Sequence, residues 1–386
     1  EIEMSWMREY VEKSDCGLTV LQTSGDAIKT ILFCEEQFLK GKNVRPQFPG
    51  RNVGMMFGLE SSLHPFIGHP SYREIADLPL SERVKIMKDP AFKEKLLNEK
   101  PNFASEIEKS MNEQDSAKSQ EEIKEAANLG LKLISNYDTQ FILGDPPNYE
   151  PGKEDSIAAL AESKGIPELE VIYDEFLKNE GTNLVYACFT PYENHKLDFV
   201  ERAYGLKSSV AGGSDGGAHC GLICDASMPT TNLSHWARDR EAGKKIPIEL
   251  IVRKQTKDTA ETYGLFDRGE IKTGMLADLN IIDFEKLNVT HPKMVYDLPL
   301  GGRRLIQTSS GYLATVKSGE VVYEAGEATG VLPGKLIRGK QTCEVKTEKE
   351  RVPFVDRTFR LMSVKALKLL WNFRKSPFKT TVVSDD

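Results

Sequence analysis

Ser214-Asp215-Gly216-Gly217-Ala218-His219 brings a carboxylate, two glycines and an imidazole together, directly after the small apolar run Ser208-Ser209-Val210-Ala211. A carboxylate so placed can take a proton from an attacking water and return it to a departing group. Glycines, lacking Cβ, let the backbone come close to a ligand. In a parallel α/β barrel the carboxyl ends of the strands carry the chemistry, which makes Asp215 the candidate general base. The same residues also fit an Asp closing a turn ahead of a Gly-rich loop, the ordinary use of an Asp-Gly pair. His219 can face substrate or the groups behind it, or be a solvated loop histidine. Arg238 can grip a substrate carboxylate through its planar fork or form a surface ion pair. Tyr192 follows an apolar run, and His64 and His69 frame Pro65-Phe66; each suits a pocket wall or plain packing.

The elements that must position these residues alternate between helix and short apolar strand. Residues 3–13 have helical spacing with Met4, Met7 and Val11 on one side, Gly17 breaks it, and Leu18–Thr23 reads as a buried strand. Helical patterns follow over 81–99 (broken by Pro90), 121–135, 155–164 (started at Asp155-Ser156), 167–177 and 197–204. Strand patterns fall over 137–143, 184–189 and the run leading to Asp215. Residues 100–120 are polar and read as a surface insertion. A long amphipathic helix is expected over 247–263, stopped by Gly264. Helix then strand, repeated, is the rhythm of a parallel βα array. After Gly264 short alternating strands take over, at 279–282, 311–316 and 321–323, and predict a small antiparallel unit. No internal repeat is present.

The 386 residues suffice for a large core and more than one structural unit, and the formal net charge of -7 argues against a nucleic-acid surface. No apolar run approaches the roughly 20 residues of a membrane span, and no secretory h-region opens the sequence. The six cysteines are scattered, which suits buried thiols in a reducing compartment, so a cytoplasmic protein is expected. Cys220 and Cys224 flank the Gly-rich loop without a second pair nearby, and a four-thiolate zinc site is not expected there. From Arg351 onward Val364, Leu367 and Trp371 share a helical face, with Lys365, Lys368 and Arg374 elsewhere. Such a helix can dock on its own body or meet an acidic surface, and docking is the reading preferred, which makes membrane binding an unfavoured alternative. Glu1 stands where a Met would open a chain, inside a helical pattern, so the sequence is expected to begin within a longer protein.

The stretch Gly213–Arg240, GSDGGAHCGLICDASMPTTNLSHWARDR, resembles the amidohydrolase superfamily in its N-acyl-D-amino-acid deacylase (D-aminoacylase) branch. Three further segments match that branch in the same order: Met55–Ser71 with Leu78–Arg83, Leu143–Pro151, and Thr259 through Asp278 and Asp297 to Arg304. The likeness covers roughly residues 15–340, and several long motifs in one order are far more specific than a lone short pattern. The resemblance implies an α/β fold, the C-terminal part of a metal-dependent TIM-like (β/α) barrel over 1–264 with a small β-sandwich unit over 265–340 and an extension over 341–386. It implies a zinc-dependent hydrolase of non-peptide carbon–nitrogen bonds, acting on small N-acyl-D-amino acids. Asp215 would be its general acid/base and a zinc ligand, with His219, Arg238 and Tyr192 binding substrate. A hydantoinase-like cyclic-amide hydrolase and a catalytically inactive scaffold are the alternatives.

One departure stands out. The family opens with His-x-His on its first strand and adds a bridging Cys, Lys or Glu and a further His on central strands. None of the six histidines (64, 69, 195, 219, 235, 291) are so spaced, and Leu18–Thr23 holds none. Catalytic zinc commonly needs three protein ligands and water. Either the remaining ligands lie outside this segment or the protein is a degenerate relative; the start at Glu1 favours the first.

Overall fold

The computed structural model describes residues 2–14, 16–22, 28–103, 120–190, 192–214 and 216–339. The chain divides into two compact units, Glu1–Gln255 with Asn288–Ser309 and Thr256–Leu287 with Ser310–Asp386.

In the first unit the strands are β1 (Leu18–Leu21), β2 (Val44–Pro49), β3 (Val53–Phe57), β4 (Gln140–Ile142), β5 (Val185–Thr190) and β6 (Val210–Gly212). Three of them form a parallel sheet in the order β1-β2-β6, with Leu21 opposite Gln47 and Gln47 opposite Val210. Parallel pairing needs crossovers, and the β1–β2 crossover is the helix Ile28–Leu39, which buries Phe33 and Cys34. The other three pair antiparallel in the order β3-β5-β4. Gly54 makes that sheet possible: a Cβ there would sit 2.6 Å from the Ala187 carbonyl oxygen. A mixed α/β architecture results. The parallel array expected from the sequence is present over three strands, and among the described residues no closed barrel forms.

Helix boundaries follow local chemistry. Ser156 accepts from the Ala159 amide at 3.1 Å to start Ile157–Lys164, and Gly165 ends it at φ +66°. Asp89 caps Pro90–Asn98 in the same way, accepting from the Ala91 amide at 2.9 Å, with Pro90 in the first turn. The core has two large parts, one around Phe48, Tyr204 and Trp236 and one around Phe57, Phe66, Tyr173 and Phe176. Their rings meet edge to face, as Phe48–Tyr204 do at 4.8 Å.

In the second unit four antiparallel strands run in the order Glu327–Ala328, Glu320–Glu324, Tyr312–Lys317, Leu279–Ile282. Asp278 fastens one end, taking Lys317 Nζ at 2.9 Å and the Ser318 amide at 2.8 Å. The helix expected over 247–263 is two pieces, Ile248–Gln255 and Lys257–Thr262, because Thr256 leaves helical geometry at φ −121°, ψ −82°. The 341–386 extension, with its basic amphipathic pattern, and most of the polar 100–120 stretch lie outside the described residues. Among the described residues no helix is long and apolar enough to cross a membrane.

Candidate functional site

β6 ends at Gly212, opposite Pro49 at the end of β2, so the loops leaving both strands emerge on the same side of the sheet. The loop after β6 owes its path to left-handed backbone at Gly213 (φ +75°), Gly217 (φ +98°) and His219 (φ +50°). Main-chain bonds then pin it. The Ser62 amide donates to the Gly221 carbonyl at 3.0 Å, Met56 to Leu222 at 2.7 Å and Leu305 to Cys220 at 2.7 Å. Residues 216–219 between these anchors and the strand are exposed. Asp215 itself lies outside the described residues.

Behind this loop sits a buried polar cluster. Arg51, fully buried just past β2, reaches Asp225 at 3.0 Å and the Cys224 carbonyl at 3.1 Å, with its guanidinium 3.5 Å from the centre of the Tyr149 ring. Burial opposes the guanidinium's charge, but Tyr149 and Asp225 outweigh it and hold the proton more firmly than usual. Next to it Tyr186 donates to the Asn52 carbonyl at 2.7 Å, and Asn52 Nδ2 meets Cys188 Sγ at 3.3 Å. Burial pushes the Cys224 thiol up to about 11 and the Cys188 thiol well above its ordinary value, so both stay protonated at neutral pH. Neither is poised as a thiolate nucleophile.

The remaining predicted residues fall in different settings. His219 is exposed on the loop. Tyr192 is buried; its hydroxyl donates to the Pro151 carbonyl and its ring stacks edge-on with Phe141 at 6.0 Å. Arg238 lies on the π-helix Asn232–Asp239, its fork bonded to neighbouring Asp239 at 2.6 and 2.8 Å. His64 is sealed against Tyr72 and Phe176 at 4.8 and 5.9 Å, and burial, helped by Arg83, pushes its pKa down to about 3. His69, equally buried, packs on Phe66 and Phe103. The structure thus bonds Tyr192 to Pro151 and Arg238 to Asp239 and leaves His219 exposed.

Sequence reasoning passed over a second charged network. Glu150 receives His235 Nε2 at 2.7 Å and Arg240 Nε at 3.0 Å, while Arg240 Nη1 also reaches Glu201. Burial raises the Glu150 carboxyl, but His235 and Arg240 more than reverse this and leave it below the usual carboxylate range. The signal was available, because Glu150 and Arg240 lie within two of the segments that carry the family resemblance.

A family model described as amidohydrolase family matches part of the chain. Residues 154–323 match the amidohydrolase family. The matched segment contains β5, β6, the Gly-rich loop and the π-helix. Solved structures similar to this chain include a D-aminoacylase, at 15% identity over 82% of this chain and 48% of that one, TM-score 0.37. A D-aminoacylase with a binuclear metal centre gives 15% identity over 85% and 52%, TM-score 0.38. An N-acyl-D-glutamate deacylase from Bordetella bronchiseptica, complexed with zinc and a phosphonate inhibitor, gives 14% over 85% and 50%, TM-score 0.34. The chain spans about half the length of these structures. No curated protein matches it by sequence.

The match over 154–323 raises the matter of metal. Among the described residues no three His, Cys, Asp or Glu side chains converge as a metal-binding group. The described part of the chain therefore does not fit a complete zinc centre.

Proposed function

We propose that the protein hydrolyses carbon–nitrogen bonds of small N-acyl-D-amino acids, in the manner of the D-aminoacylase branch, with Asp215 as general acid/base. The family match over 154–323, which takes in Ser214–His219 and the strand before it, carries this reading. A TIM-like barrel with a sandwich unit is the architecture that goes with it.

An amide is a poor electrophile with a poor leaving group, so water must lose a proton as it attacks and nitrogen must gain one as it leaves. In the proposal a single carboxylate, Asp215, makes both transfers. Residues 216–219, which follow it in the sequence, are exposed and so accessible to a substrate. Arg238, Tyr192 and His219 remain proposed as substrate-binding residues, Arg238 being the one suited to an acyl amino acid's carboxylate. Zinc remains part of the proposal as a cofactor that Asp215 would help to hold.

The test is release of free amino acid by the full-length protein from paired N-acetyl-D- and N-acetyl-L-amino acids, with hydantoins alongside. Preference for the D-acyl substrates by tenfold or more is expected. Ring opening of hydantoins without deacylation would move the protein to the cyclic-amide class, and inertness toward all three would leave a binding scaffold.

A further inference from the structure

A cavity of about 270 Å³ opens beside the anchored loop, between the turn after β3, the turn before β5 and the strand Lys293–Leu298. Its lining combines Glu60, Ser61, His291 and Lys293 with the apolar Leu184 and Met294. Four features of these residues point to a ligand.

Ser61 is 5% exposed and its hydroxyl has no hydrogen-bond partner, which a buried polar group rarely tolerates unless something fills the role. The Glu60 carboxylate is held at the cavity by the Tyr296 hydroxyl, which donates to Oε1 at 2.6 Å. Lys293, of opposite charge, lines the same cavity. His291 Nδ1 donates to the Pro292 carbonyl at 2.8 Å, which leaves Nε2 as an acceptor in the neutral ring.

We infer that this cavity binds a free α-amino acid as its zwitterion. The ammonium meets the Glu60 carboxylate and His291 Nε2; the carboxylate meets the Lys293 ammonium and the Ser61 hydroxyl; the side chain lies on Leu184 and Met294. A singly charged ligand would satisfy one of the two charges and face the other uncompensated. The volume suits a small molecule. The inference rests on the cavity's own charges; under the hydrolytic reading, a free amino acid is also the product released, so the cavity would be a product-sensing or product-holding site.

Isothermal titration of the full chain with D-leucine, L-leucine, N-acetylleucine and isoamylamine tests it. At least one leucine enantiomer should saturate, with N-acetylleucine (no ammonium) and isoamylamine (no carboxylate) weaker by tenfold or more. Glu60→Gln and Lys293→Met should each weaken leucine by about tenfold; Lys293 is exposed, so its removal does not endanger folding. Ser61→Val, which replaces the cavity's hydroxyl with apolar methyls, should weaken leucine by about tenfold. Failure of both enantiomers to saturate, binding of N-acetylleucine equal to leucine, or indifference to Lys293→Met would overturn the proposal. Deacylation measured on the same preparation separates the two ideas: leucine binding without turnover sinks the hydrolytic reading alone, and turnover without leucine binding sinks this one alone.

Discussion

A guanidinium removed from water needs a counter-charge, and Arg51 finds it in Asp225 at 3.0 Å with both side chains fully buried. Breaking a buried pair by deleting one member costs more than the pair contributes, because the survivor keeps its desolvation penalty. Arg51→Met should therefore destabilise the protein by about 3–5 kcal/mol in urea unfolding; a loss under about 1 kcal/mol would mean the pair is solvated or replaceable. Arg51 was not legible in the sequence. A lone arginine in a polar Gly-Arg-Asn stretch looks like a surface residue, and segments distant in sequence, Tyr149 and Cys224-Asp225, enclose it. Tyr192 illustrates the converse. Its place after an apolar run was legible, but the Pro151 carbonyl that takes its hydroxyl comes from a distant segment.

Among the elements, those with local start and stop signals were readable and those defined by tertiary context were not. Ser156 announced its helix, and the bond from the Ala159 amide confirms it. Ser156→Ala should cost about 1 kcal/mol, seen as a lowered urea midpoint with an unchanged m-value; no change in midpoint would remove the cap from the account. The strands at 279–282, 312–317 and 320–324 were visible through their alternation and turn glycines. β2 was not, since Pro46 and Pro49 lie within it and proline usually argues against a central strand. The break at Thr256 also escaped notice, because the apolar spacing continues across it while the backbone does not. Gly50 is a position where tertiary contact alone sets the residue: a Cβ there would lie 1.7 Å from Asn232 Oδ1.

For the whole molecule, the mixed α/β character follows from patterns the sequence carries, whereas sheet order depends on pairings between distant strands, and the grouping of Asn288–Ser309 with the first unit rests on contacts remote in sequence. Its response to acid depends on a histidine sealed in the core. Burial and Arg83 hold the His64 pKa at about 3 against an ordinary 6.5. The unfolded chain thus takes up a proton that the folded one refuses, and stability falls as pH drops from about 6.5 toward 3. His64→Phe should flatten that part of the pH–stability curve, read from thermal melts at several pH values; an unaltered slope would place the acid sensitivity elsewhere.

The hydrolytic account as a whole turns on one carboxylate in the amidohydrolase-matched segment. Its most direct test is the turnover of an N-acetyl-D-amino acid by the full-length protein and by Asp215→Asn, with folding followed by circular dichroism. Loss of about 100- to 10,000-fold in kcat, with the fold retained, is the predicted result. A well-folded Asp215→Asn protein keeping most of its kcat would contradict it.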